Sequence, residues 1–94
     1  MFYSERAFAD LDRLFDFIAG HDPVAAGEAA RAIADGIGVL ARHPYIGRAV
    51  RGPLRELVIS RGKTGYVALY RVQAREDRVE VLAIRHQREA GFAP

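Results

Sequence analysis

The sequence predicts an α+β domain in which an N-terminal helical hairpin packs on a C-terminal antiparallel β-sheet. Apolar residues recur at helical spacing over the first part of the chain, and they alternate at strand spacing from residue 54 onward. Pro44 separates the two patterns, because proline disfavours helix at the residue before it. We find no repeat or linker, so residues 1–94 are expected to form one domain.

The first helix is predicted from its N-cap and from an apolar stripe. Ser4 is a favourable N-cap residue, Glu5 follows in the first turn, and Gly20-His21 ends the helix. The apolar stripe consists of Phe8, Leu11, Leu14, Phe15 and Ile18, and the opposite face carries Asp10, Asp12, Arg13 and Asp16.

The second helix begins at Asp22-Pro23, an N-cap followed by proline at the first helical position. It should end near Arg42-His43, just before Pro44. Gly36 and Gly38 weaken this helix and indicate tight packing against a neighbouring element. The apolar stripe is rich in alanine and consists of Ala26, Ala29, Ala30, Ile33, Ile37 and Leu40.

A three-stranded meander is predicted for the rest of the chain, after a loop at residues 44–48. The strands are expected at residues 54–60, 66–73 and 78–85. The second is apolar on both faces and should be central, with Tyr66 and Tyr70 on one face, where core packing is favoured over target contact. Alternation in the third places Val79, Val81 and Ala83 on one face and Leu82 and Ile84 on the other.

Charge is distributed unevenly along the chain. Residues 1–43 carry four arginines against seven acids, a net charge of −3, whereas residues 44–94 carry nine arginines and Lys63 against five acids, a net charge of +5. The arginine side chain can form two parallel hydrogen bonds with a carboxylate or a phosphate, so the basic segment at residues 44–94 is suited to an acidic partner. A genome that encodes arginine in place of lysine would give the same composition.

Several classes of protein are disfavoured by the composition. The chain has no cysteine, so disulfides and thiolate metal sites are excluded. No apolar stretch reaches the length of a membrane span, and residues 1–6 lack the layout of a signal peptide, so we expect a cytoplasmic protein that does not contact membranes. His21, His43 and His86 lie in unrelated segments, and no glycine-rich phosphate loop is present, so neither a metal nor a cofactor is expected.

Five ordered segments carry a resemblance to a known family. They are the helical pattern "A…DL…FDFIA…DP.AA", the loop "L..HP.IGR", the strands "REL" and "Y.ALYRV", and the final "VLAIRHQRE". Together they resemble the RelE/ParE toxin superfamily of type II toxin–antitoxin systems across essentially the whole chain. The resemblance implies a β–α–α–β–β–β fold. Only Met1 to Tyr3 precede the helix cap, so the first strand is expected to be very short or missing, unless the true start lies upstream. The resemblance also implies an acidic antitoxin, encoded by an adjacent gene, that binds across the toxin in a hetero-oligomer.

The resemblance implies one of two activities. ParE-type members poison DNA gyrase, whereas RelE-type members cut messenger RNA on the ribosome by general acid–base catalysis. The ending "RHQREAGF" resembles ParE-type, or plasmid-stabilisation, toxins. Lys63 is the only lysine, and Phe92 stands where a ribonuclease might place a tyrosine, which also favours the gyrase activity. The residues that keep a ribonuclease open are Arg61, Arg85, His86 and Arg88.

Two candidate binding surfaces follow. Arg85, His86 and Arg88, at the end of the last predicted strand, are the candidate contacts to the target, although a solvated sheet edge would have the same composition. The candidate antitoxin surface is a groove between the first-helix residues Leu11 and Phe15 and the second helix, together with Arg48, Arg55 and Arg71. No catalytic residue is expected unless the chain is a ribonuclease.

Overall fold

The computed structural model describes residues 1–61 and 64–89, without the side chains of residues 60, 61 and 64. Helix α1 spans Glu5–Ala19 and α2 spans Pro23–Gly38, followed by a 3₁₀ turn at Val39–Ala41. The strands are β1 (Phe2–Tyr3), β2 (Arg48–Arg51), β3 (Leu54–Arg61), β4 (Thr64–Gln73) and β5 (Arg78–His86). None of the helices in the described part is long and apolar enough to cross a membrane.

The five strands form one mixed sheet in the order β1-β5-β4-β3-β2. β1 is parallel to β5, and the other neighbouring pairs are antiparallel. Both helices contribute to a core with side chains from a single face of the sheet. The predicted α+β class is therefore confirmed, and so is the central position of β4. Tyr66 and Tyr70, which are 3% and 0% exposed, lie in the core as expected.

The predicted meander omits strand β2, whose first residue, Arg48, was assigned to a loop. All four residues of β2 are exposed, and the strand pairs only with β3. A register irregularity between Ala49 and Arg51 also interrupts its alternation. An exposed edge strand needs no apolar face, so hydrophobic patterning could not find it. The N-terminal strand is present but has only two residues, with Tyr3 opposite Val81.

The predicted apolar stripe of α1 is confirmed only in part. Leu14 lies in the core with Ala7, and Leu11 and Ile18 pack against it. Phe8 and Phe15, assigned to the apolar stripe, are 57% and 44% exposed, and Asp10, assigned to the solvent face, is only 9% exposed. The reason is that α1 has two apolar surfaces: small side chains approach the sheet, while the large aromatic ones project beside it.

A bulge in β5 changes the predicted alternation of that strand. Leu69 lies opposite Ala83, but the next β4 residue, Tyr70, lies opposite Val81. Leu82 is therefore an extra residue, as in a β-bulge, and the faces switch after it. Val79, Val81 and Ile84 consequently share the core. The prediction that Ala83 would lie on the face of Val79 and Val81 was wrong, because a sequence pattern does not show where a ladder skips a residue.

Candidate functional site

The start of α1 is fixed to the β5 bulge by polar groups. The Ser4 amide donates to the Val81 carbonyl at 2.9 Å. The Ser4 hydroxyl donates to the Leu82 carbonyl at 2.9 Å and accepts from the Ala7 amide at 3.1 Å, so Ser4 caps α1 as predicted. Asp10 Oδ2 accepts from the Ile84 amide at 2.8 Å. These bonds satisfy backbone groups that the irregular ladder would leave buried without partners.

The charge of Asp10 is balanced from its own helix. Arg6 Nε lies 3.9 Å from Asp10 Oδ2, and Arg13 Nη2 lies 3.8 Å from Oδ1. Both arginines are more exposed than the acid, so they shield it from solvent while keeping their own hydration. Asp10 therefore has a structural function that the sequence prediction missed. Its spacing of three from Ala7 and four from Leu14 was the available signal.

Arg85, a candidate target contact, organises the turn that follows β5. Its Nη1 donates to three carbonyl oxygens, those of His86 at 3.2 Å, Gln87 at 3.3 Å and Glu89 at 3.1 Å. A guanidinium engaged with its own chain in this way positions the neighbouring residues. Of the predicted cluster, His86 and Arg88 therefore remain the better placed to meet a partner.

The imidazole of His86 is oriented by two contacts. The Arg88 amide donates to His86 Nδ1 at 3.0 Å, and the ring meets the edge of Tyr66 with centroids 5.5 Å apart. Because Nδ1 accepts a hydrogen bond, the neutral ring carries its proton on Nε2. Nδ1 is therefore engaged within the turn that follows β5.

Glu89 links the same turn to α1. Its Oε1 accepts from the His86 amide at 2.9 Å and from Arg13 Nη1 at 3.2 Å. Partial burial alone would raise the pKa of the Glu89 carboxyl, but these two hydrogen bonds outweigh burial and hold that pKa below its ordinary value. Glu89 is thus ionised at neutral pH and fixes the turn on which His86 and Arg88 are displayed.

A groove of about 910 Å³ opens between the helical hairpin and this end of the sheet. Leu14, Phe17 and Ile18 from α1 form much of its apolar lining, and Phe17 is 70% exposed. Phe17 and Arg13 carry no sequence signal for this position, because their place in the groove depends on where β5 ends. The polar lining residues are Arg13, Glu28, His86, Arg88 and Glu89.

A second, smaller groove lies along the hairpin and has a volume of about 220 Å³. Leu11 and Phe15, the predicted antitoxin contacts of α1, line this groove, with Ala30 and Ala34 of α2 opposite. Tyr3 also lines this groove and stacks on Phe8 with ring centroids 5.4 Å apart. Burial raises the pKa of Tyr3, so its phenol stays neutral near physiological pH.

The three arginines predicted to join this groove lie elsewhere. Arg48 pairs with Glu56 at 2.7 Å and Arg71 with Glu80 at 2.8 Å, both on the sheet face opposite the helices. Arg55 donates to the Gly47 carbonyl at 2.8 Å and the Tyr45 carbonyl at 3.2 Å. The predicted antitoxin surface is therefore not continuous: Leu11 and Phe15 line the groove between the helices, whereas the three arginines lie away from it and bond to other groups of the fold.

The remaining candidate for acid–base chemistry, the Arg61 side chain, lies outside the described residues, as do Lys63 and Phe92. Within residues 1–61 and 64–89, no three His, Asp or Glu side chains are grouped closely enough to hold a metal ion. The described part of the site thus offers apolar grooves with charged borders, an arrangement typical of macromolecular recognition.

Known proteins resemble this chain over nearly its full length. Residues 1–91 match the family model described as the ParE toxin of the type II toxin–antitoxin system parDE. Toxin RelE3 of Caulobacter vibrioides is 38% identical over 84 residues, which cover 89% of each chain. The fold is similar to a chain in the structure titled "Chromosomal ParDE TA system from P. aeruginosa", with a TM-score of 0.73, 24% identity, and 87% of this chain and 88% of that chain covered. The protein therefore belongs to the ParE toxin family of type II toxin–antitoxin systems, in which a toxin is paired with an antitoxin.

Proposed function

We propose that this toxin acts in the cytoplasm by binding DNA gyrase and that an acidic antitoxin, encoded beside it, neutralises it. The observation that carries the proposal is the match to the ParE toxin model over residues 1–91. Gyrase is the target implied by the resemblance to ParE-type toxins. The geometry of His86 adds support, because its Nδ1 accepts a hydrogen bond from the Arg88 amide and is engaged within its own turn.

The antitoxin is proposed to seat an amphipathic helix in the groove lined by Leu11 and Phe15. Phe15 is 44% exposed and Phe8 is 57% exposed, so this side of α1 presents large apolar side chains that gain from being covered. An acidic segment reaching the sheet would have to exchange partners with Arg48 and Arg71, because Glu56 and Glu80 already neutralise them. We therefore place most of the binding energy in the helical groove.

His86 and Arg88 are proposed as target contacts, and Arg85 as the residue that positions them. Replacing both contacts, in the variant His86→Ala with Arg88→Ala, should weaken toxicity only as far as it weakens target affinity. Antitoxin binding should be retained, because neither side chain lines the antitoxin groove.

Induction of the chain without antitoxin separates the two family activities. We expect growth arrest with DNA-damage signalling and filamentation, and inhibition of supercoiling by purified gyrase that antitoxin reverses. Co-expressed antitoxin should raise the melting temperature and abolish toxicity, and added salt should weaken the complex. Supercoiling unaffected by stoichiometric toxin, together with translation-dependent cuts in messenger RNA, would instead identify a ribonuclease.

A further inference from the structure

The loop end of the molecule, opposite the end that displays His86, carries a second exposed apolar surface. We call it the loop pole, and define it by residues 1–2, 39–42, 44–46 and 74–78, together with the Arg55 side chain, which packs on Tyr45. Phe2 is 51% exposed, Tyr45 57% and Ile46 57%. A pocket of about 380 Å³ lies among these segments and is lined by Met1, Pro44, Tyr45 and Ala74. Single apolar residues scattered over a surface are normal, but exposed apolar residues that cluster around a pocket, as they do here, often mark an interface.

Arginines are held against the aromatic rings of the loop pole. The Arg55 guanidinium carbon lies 5.1 Å from the ring centroid of Tyr45, and that of Arg78 lies 4.5 Å from the ring centroid of Phe2. These cation–π contacts reduce the freedom of both partners before anything binds. Aromatic residues and arginine are also the side chains that most often dominate binding energy at protein interfaces.

The charge of the loop pole selects for an acidic partner. Arg42 and Arg75 are exposed residues next to Ala41 and Ala74, which line the pocket. Together with Arg55 and Arg78 they give the loop pole four arginines against two acids, Glu76 and Asp77. A second copy of this chain would bring like charges together, which disfavours self-association through this surface.

We propose that the loop pole docks an acidic protein surface that inserts an apolar side chain into the pocket, and that this protein is the toxin's target. The exposed aliphatic side chains of Ile46 and Val39 favour a protein over a nucleic acid, whose interfaces are more polar. Naming the docked protein as the target rests on the proposed function. No lining residue of the pocket also lines either groove beside the helical hairpin, so an antitoxin helix in its groove leaves the pole uncovered.

Target contacts at both ends require a large partner. The described fold is 42 Å long, and the loop pole and His86 lie at opposite ends of the sheet. A multi-subunit enzyme can span this distance, whereas a short peptide bound at one end cannot. In this arrangement the loop pole would contribute to the affinity of the toxin for its target, and the turn that carries His86 and Arg88 would form a second, separate contact with the same target.

Two pairs of matched variants test the proposal. Ile46→Ser and Arg75→Glu alter the loop pole, while Val24→Ser and Arg31→Glu make the same changes at exposed positions of α2. Each purified variant is measured for gyrase inhibition, for antitoxin affinity and for binding to a single-stranded oligonucleotide, and each is scored for growth arrest. We expect the pole variants to need roughly 10-fold more toxin for half-inhibition, a loss of about 1.4 kcal/mol, with antitoxin affinity unchanged. The α2 controls should behave as wild type.

Three outcomes would overturn the proposal: pole variants that inhibit and arrest as wild type does, pole variants that lose antitoxin affinity, or pole variants that lose only oligonucleotide binding. An error in the proposed target can be told apart from an error in the proposed docking surface. If the wild-type chain arrests growth without inhibiting gyrase, gyrase is not the target, and the variants are then compared by growth arrest alone. Pole variants that no longer arrest growth but still bind the antitoxin would support the docking surface. A wild-type chain that neither arrests growth nor inhibits gyrase would overturn both proposals.

Discussion

The inner and outer faces of α1 differ in the side chains that they present. The buried residues of α1 are Ala7, Asp10 and Leu14, whereas α2 contributes the larger Ile33 and Ile37 to the core. The outer face of α1 carries Phe8 and Phe15, both substantially exposed. The small side chain of Ala7 lets the start of α1 lie close to the sheet, and the aromatic residues are left for a partner to cover. On α1, therefore, hydrophobicity alone does not distinguish the residues that fold the chain from those that bind a partner.

The largest effect is expected at the polar residue of the inner face. Asp10→Ala leaves the Ile84 amide buried without its acceptor and removes the acid that Arg6 and Arg13 approach. We expect a loss of about 3 kcal/mol in the free energy of unfolding, measured by urea denaturation. Asp10→Asn keeps an acceptor oxygen and should lose less. Asp12→Ala, at an exposed position of the same helix, should change stability by under about 0.5 kcal/mol. Equal losses at both positions would mean that the inner face does not depend on this hydrogen bond.

The outer face should respond in binding more than in stability. Phe15→Ala removes a partly exposed ring from the proposed antitoxin groove. We expect antitoxin affinity to fall roughly 30-fold, or about 2 kcal/mol, with a much smaller change in the stability of the toxin alone. Phe17→Ala removes the same ring from the neighbouring groove and is the matched control. If Phe17→Ala weakens the complex more, the antitoxin helix occupies the larger groove instead.

The helices and the three long strands could be predicted from sequence because each has its own signal. Ser4 and Asp22-Pro23 begin the helices, Gly20 ends the first, and β4 is apolar on both faces. Two features had no such signal. β2 is an exposed edge strand of four residues, and the bulge at Leu82 is visible only in the pairing of β5 with β4. The local pattern of apolar residues indicates which side chains are buried. Which strand lies at the edge of the sheet, and where a bulge falls, depend instead on how the strands pair with one another.

The candidate site was predicted only in part, for a related reason. The sequence indicated a cationic cluster at the end of β5, and His86 and Arg88 do lie there. It could not show that the Arg85 guanidinium would turn back onto its own carbonyls. It also placed Arg48 and Arg71 with the helical groove, although the pleat puts them on the opposite face of the sheet. Residues that are distant in the sequence decide which arginines form hydrogen bonds or ion pairs within the fold and which remain available to a partner.

Two glycines of α2 differ in the space around them. A Cβ at Gly36, on the inner face, would lie 2.9 Å from Ile59 Cγ1 and 3.0 Å from Cγ2, whereas a Cβ at Gly27 would meet nothing within 4 Å. Gly27→Ala should therefore raise the free energy of unfolding by about 0.5–1 kcal/mol through helix propensity. Gly36→Ala gains the same propensity but must displace a β-branched side chain, so we expect a net loss of about 1 kcal/mol. Thermal melts of the two variants should shift in opposite directions, and equal shifts would show that α2 can move away from β3.

The smallest expected effect is a pH dependence where α1 meets the turn after β5. The pKa of Glu89 is held below its ordinary value of 4.5, so its ionised form stabilises the fold. That contribution is present above pH 4.5, where the carboxyl is ionised in both folded and unfolded chains, and it is lost as pH falls through the lower folded pKa. The side chain is 35% exposed, so after allowance for solvent screening we expect only about 0.3 kcal/mol. Glu89→Gln should be less stable than wild type by this amount at pH 7, and the gap should shrink by pH 3 in denaturation measured at both values. A gap that widens as pH falls would mean that burial, rather than the His86 amide and Arg13, controls this carboxyl.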